Sequence, residues 1–321
     1  MGAVELDAHR PELTAYCYRM TGSFHDAEDL VQETLLRAWN ARDRYDPARA
    51  SVRTWLYRIA TNACLTALEG RTRRPLPAGL GAPSRDTGAP LAPAVDVPWL
   101  EPFPDARLDV AARAELRLAW VAAVQLLPAR QRAVLVLREV LAFSAAEVAD
   151  QLDTTVPAVN SALQRARAAL GAADAERVRE QDGPGQRAVV DRYLAAFEAA
   201  DVPALVGLLA EDAILEMPPL PLWYRGPEHY GRFMDRVYAM YGAGPDGPGQ
   251  GGPGRGGFGW RTRAVGANGQ GAFAAYAPVP DGGGHRLHSV QLLEIAGGLV
   301  TRNTVYTDPG VLALFDLPPR L

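Results

Sequence analysis

Residues 75–106, "PLPAGLGAPSRDTGAPLAPAVDVPWLEPFPDA", carry eight prolines and three glycines in one run. Proline fixes φ and removes a backbone donor, so this stretch can form neither a long helix nor a central strand. It reads as a linker. A second break, "AERVREQDGPGQ" (175–186), follows further on. A chain cut in this way cannot wrap one continuous core. The expected organisation is three folded blocks, 1–74, 107–174 and 187–321, with the linker at 75–106. The first two are expected to be all-α and the last α+β, because its helical patterns come before its strand patterns.

Composition sets few further limits. The net charge is −4 and 48% of the 321 residues are hydrophobic, as expected for two or three soluble domains. No apolar run reaches the roughly 18 residues of a membrane span, and no basic-then-apolar leader is present, so a cytoplasmic protein without a membrane role is expected. Cys17 and Cys64 match no zinc or redox spacing and read as buried free thiols. No metal or cofactor is expected. Every basic residue is Arg, for which a biased nucleotide composition is a simpler account than function, although the guanidinium fork does suit phosphates and base edges.

In the first block, "HDAEDLVQETLLRAW" places Ala27, Leu30, Val31, Thr34, Leu35 and Ala38 on one helical face and Asp26, Asp29, Glu33 and Arg37 on the other. By itself the acidic face is a solvated one. The next helix, "SVRTWLYRIATNACLTAL", is expected to bury Val52, Trp55, Leu56, Ile59, Ala60 and Ala63 and to expose Arg58, Thr61, Asn62 and Leu65. From Arg49 to Arg74 there are six Arg against one acid. An acidic face beside a basic, aromatic-bearing one implies two partners of opposite charge, one of them a nucleic acid.

"FSAAEVADQLDTTVPAVNSALQRARAAL" reads as helix, short turn, helix. Ser144 and Glu147 form a capping box. Thr154 or Thr155 can cap the second helix, with Pro157 in its first turn. Val148 and Leu152 face inward, as do Val159, Leu163, Ala166 and Leu170. Asn160, Ser161, Gln164 and Arg165 are left outward, with Arg167 at the flank. In a DNA-binding helix-turn-helix such a second helix enters the major groove, where Asn, Gln and Arg read base edges. A helical hairpin with no DNA role is the competing reading.

These segments, together with "LPARQRAVLVLREV" ahead of the last, closely resemble the sigma-70 family of bacterial RNA polymerase sigma factors, extracytoplasmic-function group, over about the first 175 residues. The resemblance implies a transcription initiation subunit that is not an enzyme. It assigns Asp26, Asp29, Glu33 and Arg37 to the β′ clamp of core RNA polymerase. Arg58, Thr61, Asn62, Arg71, Arg73 and Arg74 go to the minus-ten promoter element. Thr155, Asn160, Ser161, Gln164, Arg165 and Arg167 go to the minus-thirty-five element. Many such factors carry Lys and Arg where this chain has Asn160 and Ala162, so a different base preference is expected.

Most of that group stop after the recognition helix. Here residues 187–321 add helices and then the strands "FGWRTRAV", "GAFAAYAPV", "RLHSVQLLEI" and "LVTRNTVYT". The order resembles the SnoaL-like domain, a cone of helices against a curved sheet, and implies a regulatory tail that could bind a small-molecule ligand. "VPWLEPFPD" and "DGGGH" resemble elements of sigma factors with such a tail, which marks Trp99, Leu100 and Phe103 as interdomain contacts. His288, Val290, Leu292 and Glu294 are expected on one strand face, with His288 and Glu294 as possible pocket residues. His285 and His288 should face apart, which disfavours a metal pair. A plain packed core remains open for this tail, as does an enzyme of the cyclase or hydrolase type fused to a DNA-binding module. "GAGPDGPGQGGPGRGGFG" (242–259) reads as a mobile loop.

Overall fold

The computed structural model describes residues 6–107, 116–177, 184–241, 259–279 and 284–321. The breaks expected at 175–186 and 242–259, and the start of "DGGGH", lie largely outside the described residues. The chain divides into two compact units: Met1–Arg74 with Leu100–Arg179, and Pro75–Trp99 with Glu180–Leu321.

The first unit is helical. Its elements are α1 (Arg10–Thr21), α2 (Phe24–Asn40), α3 (Val52–Leu68), α4 (Leu118–Val124), α5 (Ala129–Leu135), α6 (Ala145–Gln151) and α7 (Val156–Arg177). Four of these helices, α2, α3, α6 and α7, start where a side chain accepts from a free amide. Ser23 caps α2 through the amide of Asp26, and Ser51 caps α3 through that of Thr54. The Ser144–Glu147 capping box opens α6, as the sequence predicts. Thr155, rather than Thr154, accepts from the Ala158 amide at the start of α7, at 3.4 Å. α1 ends at Gly22, whose φ of +71° suits glycine. A Cβ there would lie 2.8 Å from Leu100, so the absence of a side chain also admits Leu100. Leu56, Ala60 and Ala63 of α3 are buried as expected, but Val52, Trp55 and Ile59 are only half-buried and Tyr57 takes the core position. Cys17 and Cys64 are buried free thiols with sulfurs 3.6 Å apart. The hydrogen bond between them, and burial, push the Cys64 thiol well above its ordinary value.

The proline-rich segment is not a free spacer. Its second part lies on the helical unit. Leu100 and Phe103 are fully buried, and Phe103 meets Tyr18 and Phe24 edge to face at 5.0 and 4.9 Å. Burial of that kind stabilises by about 1.5–3 kcal/mol per side chain. The Glu101 carboxylate accepts from Ser23 Oγ (2.9 Å) and from the amides of Phe24 (2.9 Å) and His25 (3.3 Å), which puts a negative charge at the start of α2. Its first part belongs to the C-terminal unit. There the Ala78 amide donates to Glu216, the Ser84 amide to the Trp223 carbonyl, and Arg236 to the carbonyls of Thr87 and Ala89. Pro cannot donate, so the segment is held through its carbonyls and its few amides.

The C-terminal unit packs α8 (Pro184–Glu198), α9 (Val202–Val206) and α10 (Pro227–Met240) on a six-stranded sheet and ends with α11 (Pro309–Ala313). The strands are β1 (Leu209–Glu216), β2 (Trp223–Arg225), β3 (Arg261–Ala267), β4 (Gln270–Pro278), β5 (His285–Ala296) and β6 (Leu299–Tyr306), in the order β2-β1-β6-β5-β4-β3. The last four form the expected antiparallel run, and β1 joins β6 in parallel. Val189, Tyr193, Phe197, Tyr230, Phe233 and Tyr238 of the helices close over Phe273, Ala275 and Leu293 of the sheet.

Candidate nucleic-acid interface

α2 buries Ala27, Leu30, Val31, Thr34 and Ala38 and exposes Asp29, Glu33 and Arg37, with Leu35 between. Glu33 and Arg37 pair at 2.5 Å, one turn apart. Asp26 does not belong to this face. It is half-buried, and its carboxylate receives Arg71 at 3.0 Å and Arg74 at 2.9 Å. It sits in the first turn of α2, where the chain returning from α3 passes, so helical periodicity alone misplaces it. Periodicity also hides two apolar groups on the open side, Leu36 (60% exposed) and Trp39 (39%). The Arg42 guanidinium lies over the Trp39 ring at 4.4 Å. Leu35 and Trp39 join Leu6, Asp7 and Arg10 around a shallow groove of about 190 Å³.

On α3 the expected minus-ten residues separate. Thr61 is buried, against expectation: its hydroxyl lies 2.7 Å from Tyr16 Oη and donates to the Tyr57 carbonyl at 2.6 Å. Tyr57 brings this about. By taking the core position it turns the buried stripe of the helix, and Thr61, one turn on, follows it inside. Asn62 and Arg73 are exposed. Arg58 is partly exposed but engaged, its two terminal nitrogens on Asp150 (3.2 Å) and Asp153 (3.1 Å). Arg71 and Arg74 are held by Asp26, as above. Burial pushes the Tyr57 phenol up, helped by Glu12 nearby.

On α7 the predicted pattern holds except at Leu170, which is only half-buried. Val159, Leu163 and Ala166 are buried, while Thr155, Asn160, Ser161, Gln164, Arg165 and Arg167 are exposed. Arg167 pairs with Glu139. Behind the helix-turn-helix, α5 buries Arg132, which is 4% exposed. It donates to the carbonyls of Val124 (2.9 Å), Gln125 (3.1 Å), Leu127 (3.1 Å) and Met20, and to Gln125 Oε1 (2.6 Å). Burial pulls its pKa down to about 10. No sequence period announces a buried Arg; its acceptors are carbonyls at the ends of α1 and α4, which meet only in the fold.

With these surfaces in place, the comparisons decide the family. The Sigma-70 region 2 family matches residues 6–74 and the Sigma-70 region 4 family residues 117–170. The ECF RNA polymerase sigma factor SigG of Mycobacterium tuberculosis is 45% identical over 325 aligned positions, covering 98% of this chain and 83% of the relative. The chain belongs to the extracytoplasmic-function RNA polymerase sigma factors. SigJ of the same organism is 30% identical over 290 positions, covering 88% of this chain and 84% of the relative. The crystal structure of M. tuberculosis SigJ superposes with a TM-score of 0.67 at 24% identity, over 99% of this chain and all of that one, which shows a shared fold through the tail. The sigma factor therefore consists of helical region 2 and region 4 domains and an α+β C-terminal domain whose fold is shared with SigJ. It binds core RNA polymerase and directs it to promoters.

In the tail, the two residues expected to line a pocket stand apart. Ala275 pairs with Ser289 and Tyr276 with Leu287, so a bulge leaves His288 outside the alternation. The helix-covered face of β5 carries Ser289, Gln291 and Leu293, since these oppose Ala275, Phe273 and Asn303. Glu294 lies on the other face, 3.5 Å from Arg302, which also reaches Glu216 at 2.6 Å. His288 instead packs edge-on against Trp260 (5.1 Å) and Tyr241 (5.2 Å), and burial lowers its pKa to about 4. The interior holds a polar network that the sequence reading missed. Tyr193 and Tyr230 share a 2.5 Å hydrogen bond, and Asn303 Nδ2 lies 3.1 and 2.9 Å from their hydroxyls and 2.8 Å from Gln291 Oε1. Gln291 in turn donates to Ser289 at 3.2 Å. Burial pushes the Tyr230 phenol up to about 12, so the network is neutral. A polar residue at every second position of β5, Ser289 and Gln291, was the available signal. Among the described residues no His, Cys, Asp and Glu cluster could hold a metal ion, and no helix is long and apolar enough to cross a membrane.

Of the interdomain candidates, Leu100 and Phe103 pack on α1 and α2, and the Trp99 indole donates to the Ala94 carbonyl at 3.0 Å.

Proposed function

We propose that this sigma factor presents two separate working surfaces, one for the β′ clamp of core polymerase and one for promoter DNA. The first is the open side of α2: Asp29, Glu33 and Arg37 with Leu36 and Trp39 beside them. The observation that carries it is the presence of large apolar groups among exposed charges, the composition of a protein-docking patch rather than of a solvated face. The DNA surface for the minus-ten element is Asn62 with Arg58, Arg71, Arg73 and Arg74, of which Arg58, Arg71 and Arg74 must leave the carboxylates that hold them. The exposed row of α7 serves the minus-thirty-five element, through Asn160, Gln164 and Arg165 to bases and Thr155, Ser161 and Arg167 to the backbone.

The tail is read as regulatory. Its interior network consists of phenols, amides and a hydroxyl, groups that can orient a neutral polar ligand, with no carboxylate or imidazole among their hydrogen-bond partners to move a proton. Such a factor works in the cytoplasm, beside polymerase. Reversing Asp29 and Glu33 to Arg is expected to abolish co-purification with core polymerase while shifting stability by no more than about 0.5 kcal/mol; retained binding overturns the docking assignment. Run-off transcription by the full-length chain and by a chain truncated after residue 186 tests the tail, and equal activity overturns its regulatory role.

A further inference from the structure

The helix-turn-helix carries acids where a DNA-binding motif gains least from them. Its first helix crosses the phosphate backbone, yet α6 and the turn after it expose Asp150 (side chain 73%) and Asp153 (81%). Both carboxylates face one guanidinium, that of Arg58 on α3. Two oxyanions on the two arms of one Arg is the arrangement that backbone phosphates take. Asp153 reaches it from a left-handed backbone conformation, φ +47°, which Asp tolerates better than most residues.

Around this contact the region 2 and region 4 helices meet through other groups. Phe143 packs edge-on against Tyr57 at 5.3 Å, and the Arg53 guanidinium lies 4.9 Å from both rings. Gln125 donates to the Arg19 carbonyl at 3.1 Å, and Arg132 donates to that of Met20.

We propose that this is a closed state of the sigma domains, in which Asp150 and Asp153 occupy Arg58 in place of promoter phosphates. The proposal rests on reading Arg58 as a promoter contact. Closure and promoter use then exclude each other on geometric grounds. Elements named minus ten and minus thirty-five are about 25 base pairs apart, on the order of 80 Å at about 3.4 Å per step. α3 and α7 cannot span that while Arg58 touches the helix before α7. The aromatic and carbonyl contacts hold the closed state; the Arg58 fork sets its register and makes it sensitive to salt, because exposed pairs are screened.

The test uses the full-length chain with a Förster pair on Thr66→Cys and Ala146→Cys, both exposed, while Cys17 and Cys64 stay buried. Asp150→Asn with Asp153→Asn keeps size and tolerates φ > 0. It is expected to lower the closed fraction threefold to tenfold and to flatten its salt dependence. Arg58→Ala should do the same, and the three changes together should do no more, since they act through one contact. A single-stranded minus-ten oligonucleotide, which region 4 does not engage, should bind threefold to tenfold tighter to the double Asn variant. That gain should vanish in the Arg58→Ala background. An unchanged closed fraction overturns the proposal. So does a gain that survives Arg58→Ala, because the acids would then act by direct repulsion of DNA. If Arg58→Ala opens the protein but leaves oligonucleotide binding untouched, the promoter role of Arg58 fails while the clasp stands, and the exclusion is overturned.

Discussion

The helical unit and the tail place their polar chemistry on opposite sides of their elements. On α7 the recognition side chains stand on the solvent side of a helix whose other face is core. In the tail Tyr193, Tyr230, Gln291 and Asn303 point into the interior and bond to one another. A helix with one apolar stripe declares its free face in the sequence. A strand buried on both faces does not, because its two alternating sets both lie among apolar neighbours. β5 is such a strand, with Val290 and Leu292 buried on one face and Ser289, Gln291 and Leu293 on the other.

The sharpest test of this contrast is the group that sits inside without a recorded hydrogen bond at Nδ1, His288. Its folded pKa, about 4, lies below the ordinary value of 6.5. The unfolded chain therefore binds the extra proton first. The stabilisation is complete above about pH 6.5 and is lost as pH falls towards 4, to a total of about 3 kcal/mol. Hydrogen exchange of β5 between pH 4 and 7 should show a steep acid limb in the native protein and a flat one in His288→Phe. A native protein with no limb would place His288 at the surface and remove the contrast.

For the outside chemistry, Gln164→Ala and Arg165→Ala should each lower promoter discrimination by roughly 1–3 kcal/mol if they read bases. Competition binding with promoters altered in the minus-thirty-five element measures it. A uniform loss on all sequences, with a shallower salt slope, would reassign them to phosphate.

Thr61 tests the boundary between the two kinds of site. Thr61→Val keeps the shape but leaves Tyr16 Oη without its partner, a cost of about 1–2 kcal/mol in urea unfolding. Promoter affinity of the folded protein should not change. An affinity loss at full stability would return Thr61 to the DNA surface.

The smallest effect is at Asp26. Asp26→Asn releases Arg71 from its carboxylate and loosens Arg74, which stays 3.9 Å from Glu101; the two lost pairs are worth at most about 1 kcal/mol at this exposure. Minus-ten affinity should rise up to about fivefold with polymerase binding unaltered, by titration at two salt concentrations. A fall in polymerase binding would restore Asp26 to the docking face.

Much of the site was legible because helices write their exposure in a period of 3.6. The capping box at Ser144, the buried Val159, Leu163 and Ala166, and the open row from Asn160 to Arg167 all follow from local chemistry alone. So does the antiparallel run of strands β3 to β6, whereas the two helical blocks expected to be separate form one unit and the proline-rich segment is shared between the two units. What local chemistry does not carry is partnership at a distance. The attachment of Glu101 to the start of α2, the clasp of Arg58 on Asp150 and Asp153, the capture of Arg71 and Arg74 by Asp26, and the hold of Arg132 on the Met20 carbonyl each join residues far apart in the chain. Periodicity can say that a charged side chain leaves the core, but which oppositely charged group it meets depends on how the helices pack. The same holds for His288. A single-residue bulge, set by the pairing of β4 with β5, turned its ring towards Trp260 and away from the face it was expected to share with Glu294.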